Sequence, residues 1–308
     1  MSNPENNAVL LLAHGSPGSV AEVPEFLLRV TGGRPLPQPV VEEVQHRYSL
    51  IGRSPLTELT LKQGELLGHE LGLPVYVGMR NWKPFVADAL RAMTSDGIEH
   101  AVAICMAPQN SRTSVGLYRS TLTENQGTPF TIDFVESWHD HPLLIKGFAE
   151  KLRAGWASAG SEMGMQKVPI IFTAHSVPER TIAEGDPYES QAKETASLVA
   201  REAALGPENW TFAFQSQGMS GGAWLGPRVE DTILSLKEKG HRGVFLQPIG
   251  FLCDHVEVLY DIDIGFKQFA EKHGMRLWRA QSLNDSPLLA AALADIARSR
   301  LITIAGRH

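Results

Sequence analysis

Eight short runs rich in Val, Ile and Leu alternate with longer stretches of helical period, and this alternation constrains the fold more than any other feature of the chain. The runs cover 8–13, 74–79, 101–106, 131–135, 168–174, 211–215, 243–248 and 276–280. Helical patterns fill 56–71, 83–95, 142–158, 189–204, 227–239, 254–271 and 287–299. Nearly continuous apolar strands separated by helices specify an α/β fold whose parallel sheet is covered on both faces. Gly97 and Gly240 stand where helices 83–95 and 227–239 should stop.

The pattern repeats once. Leu12-Ala13-His14 closes the first strand and Thr173-Ala174-His175 closes another, and in both a Pro follows the His by three residues, Pro17 and Pro178. Further on, Pro84-x-Val86-x-Asp88 with Gly97 matches Pro227-x-Val229-x-Asp231 with Gly240, with the Gly nine residues after the Asp each time. Repeated punctuation of this kind is the mark of a duplicated unit. We therefore expect two similar Rossmann-like halves, each a doubly wound parallel sheet, with a ligand cleft between them. The N-terminal half spans 1–135 and is completed by the C-terminal helix 287–300; the C-terminal half spans 136–286. Open parallel sheets bind ligands outside the carboxyl ends of their strands, so His14 and His175 would face that cleft.

Composition excludes several classes. With 43% hydrophobic and 20% charged residues the chain is neither disordered nor fibrous. It carries 28 Lys and Arg against 34 Asp and Glu, a net charge of −6, with no basic block to hold nucleic acid or anionic lipid. Two cysteines, Cys105 and Cys253, each inside an apolar run, are too few for a disulfide framework, a Cys-rich zinc site or a four-Cys iron–sulfur cluster. They are expected as buried thiols in a reducing compartment. No stretch approaches the ~20 apolar residues of a spanning helix. The residues before Ala8 lack the positive charge of a signal peptide, so a cytoplasmic location is expected.

Two places could carry chemistry. His175 directly follows the apolar run Val168–Ala174, where metal ligand, general base and hydrogen-bonded turn residue are all open. The second is Gly250–Asp263. Asp254 is expected as an N-cap, and Asp254, Glu257 and Asp261 are spaced i, i+3 and i+7, which would put three carboxylates on one helical face. Capping and the helix dipole account for Asp254 but not for Asp261, two turns in. A cation-binding face and a structural acid cluster both fit. His139 and His141 read as a solvated loop, and His255 as a helix-start residue. Neither GxGxxG nor GxxxxGK[ST] occurs, and no GxSxG elbow supports a serine hydrolase.

Taken together, an ordered set of motifs resembles the ferrochelatases, which insert ferrous iron into a porphyrin. It comprises Leu10-Leu-Leu-Ala-His-Gly-Ser-Pro17, Arg47-Tyr-Ser-Leu-Ile-Gly-Arg-Ser-Pro-Leu56, Val77-Gly-Met-Arg80 and Pro108-Gln-Asn-Ser-Arg-Thr-Ser-Val-Gly-Leu-Tyr118. It continues through Thr173-Ala-His-Ser-Val-Pro-Glu-Arg180, Gly185-Asp-Pro-Tyr188, Gln215-Ser216, Trp224-Leu225, Pro248-Ile-Gly-Phe251 and Asp254-His-Val-Glu-Val-Leu-Tyr-Asp261. The resemblance implies a chelatase-like fold with a porphyrin cleft, and His175 and Glu257 as the catalytic pair, which are also metal ligands together with Asp261. It implies that Ser16, Arg47, Tyr48, Ser54 and Tyr118 bind the porphyrin propionates. His14 stands where the coproporphyrin-using branch has a Tyr touching iron, so it is expected as a porphyrin contact. Ferrous iron enters as substrate, with no prosthetic group and no iron–sulfur cluster. The run Ala107–Tyr118 and the compact length resemble the coproporphyrin III branch, so that substrate is favoured, in a monomer without an integral membrane segment. The alternatives are protoporphyrin IX, a cobalt or nickel chelatase of sirohydrochlorin type, and a non-catalytic haem or porphyrin carrier.

Overall fold

In the computed structural model, which describes residues 6–125, 127–164, 168–217 and 222–305, the eight apolar runs form eight strands. They are β1 (Asn7–Ala13), β2 (Val75–Met79), β3 (His100–Cys105), β4 (Thr131–Val135), β5 (Ile170–His175), β6 (Trp210–Gln215), β7 (Gly243–Pro248) and β8 (Arg276–Arg279). The first four make one sheet in the order β2-β1-β3-β4, the last four a second in the order β6-β5-β7-β8. Every pairing is parallel. β1, β3, β5 and β7 are interior strands, and almost all of their residues are buried, because helices cover both faces of a parallel sheet.

Twelve α-helices connect the strands among the described residues. In the first stretch these are α1 (Val23–Val30), α2 (Gln38–Ile51), α3 (Leu56–Leu71), α4 (Val86–Ser95), α5 (Val115–Glu124) and α6 (Pro142–Glu162). They continue as α7 (Glu179–Ala183), α8 (Tyr188–Glu202), α9 (Val229–Glu238), α10 (Val256–Leu259), α11 (Lys267–Lys272) and α12 (Pro287–Ala305), with a π-helical turn over Asp261–Phe266. None of the described helices is long and apolar enough to cross a membrane.

The chain divides into two compact units. One holds the chain through Pro108, Arg112–Trp138 and everything from Asn284; the other holds Gln109–Ser111 and His139–Leu283. Each has its own core. In the first, Leu10, Leu12 and Ala103 pack against Val86, Leu90 and Met93 of α4. In the second, Ile171, Val244 and Leu246 pack against Val229 and Ile233 of α9 and against Val258 and Ile262. Both cysteines are free and buried. Burial pushes both thiols up, Cys253 to about 12, which leaves neither as a thiolate at neutral pH.

The repeat in the sequence is a repeat of topology and register. Ala13 pairs with Met79 and Ala174 with Phe214. The next link recurs too: the Met79 amide donates to the Pro84 carbonyl at 2.7 Å and the Phe214 amide to the Pro227 carbonyl at 2.8 Å. Both α4 and α9 end on a left-handed glycine, Gly97 at φ +72° and Gly240 at φ +88°. The residue after each glycine reaches back to the last turn, Ile98 to the Met93 carbonyl and His241 to the Leu236 carbonyl, both at 3.1 Å. That is how a glycine-stopped helix satisfies its orphan carbonyls. A Cβ at either glycine would meet nothing within 4 Å, so backbone strain alone opposes a side chain there. Gly97→Ala and Gly240→Ala are each expected to cost about 1–2 kcal/mol, the left-handed penalty of an L-residue. Denaturant unfolding of the two variants should report closely similar losses.

Candidate active site

β5 delivers His175 to the carboxyl end of an interior strand, where the sheet stops covering side chains and the first reactive group emerges. Its Nδ1 donates to the Ser176 carbonyl at 2.5 Å, and its Nε2 lies 3.5 Å from Oε1 of Glu257. With Nδ1–H committed to the backbone, the neutral ring would present its lone pair at Nε2, toward a carboxylate. A cation at that position, a proton or a metal ion, satisfies both groups. The Tyr188 hydroxyl donates to the His175 carbonyl at 2.9 Å, and the Trp224 ring stands 6.5 Å from the imidazole. β1 repeats the arrangement in the other unit: His14 Nδ1 donates to the Gly15 carbonyl at 3.0 Å, and the ring packs edge-on against Phe26 at 5.7 Å.

Glu257 sits in α10, a helix of four residues that passes into the π-helical turn, where the Gly265 amide reaches the Tyr260 carbonyl five residues back at 2.8 Å. Val258, Ile262 and Phe266 bury themselves in the core at intervals of four, which leaves Glu257 and Asp261 on the adjoining strip. Asp254 does not share it. The expected capping role falls to His255, and the Asp254 carboxylate instead accepts the Ser282 hydroxyl at 2.8 Å and pairs with Arg279 at 3.2 Å. The expectation of three carboxylates on one helical face is therefore corrected: α10 begins after Asp254, and an arginine draws that side chain away.

His255 does more than start the helix. Its Nδ1 donates to the Cys253 carbonyl at 3.0 Å and its Nε2 lies 3.3 Å from the second oxygen of Glu257, so one carboxylate stands between two imidazoles. Gln215 and Ser216, which carried no role in the sequence beyond family likeness, support the strip. The Gln215 amide donates to the Glu257 carbonyl at 3.3 Å, and its oxygen accepts Thr173 Oγ1 at 3.2 Å. The Ser216 hydroxyl donates to Asp261. Ser216 adopts φ +56°, a strained conformation for a residue other than glycine, and such strain gathers at functional sites. Among the described residues no group of three or more His, Cys, Asp and Glu side chains is arranged to hold an ion.

The remaining predicted contacts lie in the first unit. Ser16 Oγ and the Tyr48 hydroxyl are buried 3.0 Å apart, and Ser16 shares two further hydrogen bonds with Thr57. Arg47 pairs on the surface with Glu43 at 3.0 Å. Burial pushes the Tyr118 hydroxyl up, so it remains a donor at neutral pH. The buried Ser54 Oγ has no hydrogen-bond partner among the described residues, nor do Arg80 Nε and Asn81 Nδ2. Buried donors left open in a native fold call for an acceptor. In the sequence Arg80 stands only as the end of the motif Val77–Arg80 and Asn81 carries no signal, since nothing in their spacing reveals an unmet donor. Arg80 also lies over the Tyr118 ring, 5.9 Å from its centre. His139, expected in a solvated loop, is buried and 3.0 Å from Glu194.

Two parallel-sheet units with imidazoles at equivalent strand ends define the chelatase class of fold. A sirohydrochlorin chelatase from Bacillus subtilis subspecies spizizenii, solved with cobalt, superposes with a TM-score of 0.55 over 95% of this chain and 94% of its own at 8% identity. The Ferrochelatase family model matches residues 6–301. A ferrochelatase of Acidobacterium capsulatum is 55% identical over 96% of this chain and 95% of its own length. A coproporphyrin III ferrochelatase of a Geobacillus species is 36% identical over 95% and 97%. The chain belongs to the ferrochelatase family, lyases of haem biosynthesis that place iron in a porphyrin.

Burial works against charge on the His175 ring, and the Glu257 carboxylate more than offsets it, so the imidazole titrates above its ordinary 6.5. Burial likewise works against the Glu257 carboxylate, and His175 followed by His255 outweighs it, so the acid lies well below its ordinary 4.5. A raised imidazole contributes stability that is complete below 6.5 and is lost as pH rises through the folded value. A lowered carboxyl contributes stability that is complete above 4.5 and is lost as pH falls through the folded value. The pair's contribution to the metal-free protein is thus complete between pH 4.5 and 6.5. An NMR titration should place the His175 ring above 6.5 and show it falling in Glu257→Gln.

Proposed function

We propose that the chain inserts Fe2+ into coproporphyrin III as a cytoplasmic enzyme, with His175 and Glu257 as the group that exchanges protons for metal. The observation that carries this reading is the 3.5 Å approach of His175 Nε2 to Glu257, with Nδ1 tied to a backbone carbonyl. The reaction removes two pyrrole protons and forms four iron–nitrogen bonds: free-base porphyrin and Fe2+ give iron porphyrin and two H+. His175 Nε2 accepts a proton, and Glu257 holds the resulting imidazolium. The same two atoms are one nitrogen and one oxygen donor, a mixed set that suits ferrous iron without the grip of a thiolate site. Asp261, joined to Ser216, would stand outside that pair and pass protons to solvent.

The porphyrin's carboxylates need donors, and the first unit supplies Ser16, Tyr48, Ser54 and Tyr118, to which we add Arg80 and Asn81. Three of these six have a buried polar atom without a partner among the described residues. Arg47 forms an exposed ion pair with Glu43 worth about 0–1 kcal/mol, so exchanging that carboxylate for a propionate costs little. His14 would meet the macrocycle, with an imidazole as axial donor. A substrate with four propionates makes use of this many donors better than one with two, and relatives of about 36% identity bear the coproporphyrin III name.

Anaerobic iron insertion, followed by loss of the free-base spectrum with coproporphyrin III and protoporphyrin IX in parallel, tests the proposal. Coproporphyrin should be preferred, and His175→Ala and Glu257→Ala should each lower kcat by about 10²–10⁴, the usual worth of a positioned acid or base. Arg47→Gln should raise KM for coproporphyrin more than it lowers kcat. A preference for protoporphyrin would overturn the substrate, and activity retained in His175→Ala would overturn the pair.

A further inference from the structure

Arg279 closes β8 and is 14% exposed at its side chain. Its Nε lies 2.6 Å from Oδ1 of Asp263 and its Nη2 2.8 Å from Oδ2, a two-pronged clamp on one carboxylate. The same Nη2 lies 3.2 Å from Oδ1 of Asp254, and Nη1 donates to the Ala280 carbonyl at 3.0 Å. Asp254 is held from a second side by the Ser282 hydroxyl at 2.8 Å. One guanidinium therefore grips both ends of the segment 254–263, and Glu257 lies between them.

Other side chains hold the middle of that segment: Gln215 donates to the Glu257 carbonyl and Ser216 to the Asp261 carboxylate. α10 is a single turn without a side-chain cap, and it runs directly into a change of helical repeat. Val258 and Ile262 anchor the apolar side in the core. They fix the depth of the segment and Gln215 and Ser216 hold its middle, while the clamp at residues 254 and 263 fixes both ends and with them the rotation of the short helix between. A salt bridge shielded from water is weak evidence of stabilisation by itself, whereas fixing a unique arrangement is its better-attested use.

We infer that Arg279 is a positioning residue for the reaction: by tying Asp254 to Asp263 it sets where Glu257 stands against His175. The inference rests on the function proposed above in taking Glu257 as a working group. Lysine cannot replace the arginine, since a point charge cannot span two prongs on Asp263 and a third contact on Asp254. A displacement of about 1 Å at a reacting group costs about 100-fold in rate.

The test compares Arg279→Lys and Asp263→Asn with wild type, well below their unfolding midpoints. Asp263→Asn keeps the arginine and its Asp254 contact, so it serves if Arg279→Lys does not fold. Each variant should lose about 10- to 100-fold in kcat for coproporphyrin III while KM for the porphyrin stays within about twofold. The 15N shift of the His175 ring, read without substrate, should move toward that of Glu257→Gln. Wild-type kcat and an unmoved His175 shift, even with a lowered unfolding midpoint, would reduce Arg279 to a stabilising residue and overturn the inference. A wild-type protein that inserts iron into neither porphyrin would sink the functional reading, and the ring shift alone would then decide the positioning role.

Discussion

A strand buried on both faces can present a reactive side chain only where it ends, and the parallel arrangement makes all strands of a sheet end at one edge. β1 and β5 are such strands, with their residues before the terminal His almost entirely inaccessible to water. His14 and His175 are the first side chains past that limit. Both turn Nδ1 to the carbonyl of the following residue, which commits the neutral ring to exposing Nε2. The surroundings of His175 can be read as a response to this single exposed nitrogen. Glu257 faces it, Gln215 holds the backbone of Glu257, and Tyr188 holds the carbonyl of His175.

Charge in this unit is distributed by geometry rather than by sequence proximity. Four acids lie within ten residues, at 254, 257, 261 and 263, and they divide among three kinds of partner. Asp254 and Asp263 are taken by Arg279, Asp261 by Ser216, and Glu257 by two imidazoles. An arginine has no usable conjugate base, so it fixes the acids it holds without taking part in proton exchange. Imidazoles and hydroxyls exchange protons, and the acids next to them remain available for chemistry. The division separates a scaffold from a working surface within one short stretch of chain.

How much of this could be read in advance differs by element. The strands were legible because a near-continuous apolar run between breakers has few other uses, and the two Ala-His strand ends announced the repeat. The periodicity marks no helix over 23–30, 38–51, 115–124 or 179–183, and for the second and third of these the physical reason is plain. In α2 only Tyr48 is buried and in α5 only Val115 and Tyr118, so neither carries the apolar stripe that identifies a helix. His175 and Glu257 were singled out by position and by family motif, and they do meet. Asn81 and Arg279 carry no such signal, and neither the approach of His255 to Glu257 nor the open donor on Arg80 could be read, because a side-chain contact, or a donor left without a partner, has no local signature.

The chain alone determined the α/β class, the duplication and the chemical types present: imidazoles at strand ends, an acid-rich segment, two inert thiols. These follow from periodicity and composition, which are local properties. Only the tertiary structure decided which acid serves which partner. The π-helical turn after Tyr260 and the arginine on β8 arise from packing in the second core, and together they leave Glu257 facing an imidazole while Asp254 is turned away. A spacing rule assumes an unbroken α-helix and independent side chains. Here one guanidinium on β8 joins two carboxylates that stand nine residues apart in the chain, and no local rule anticipates that.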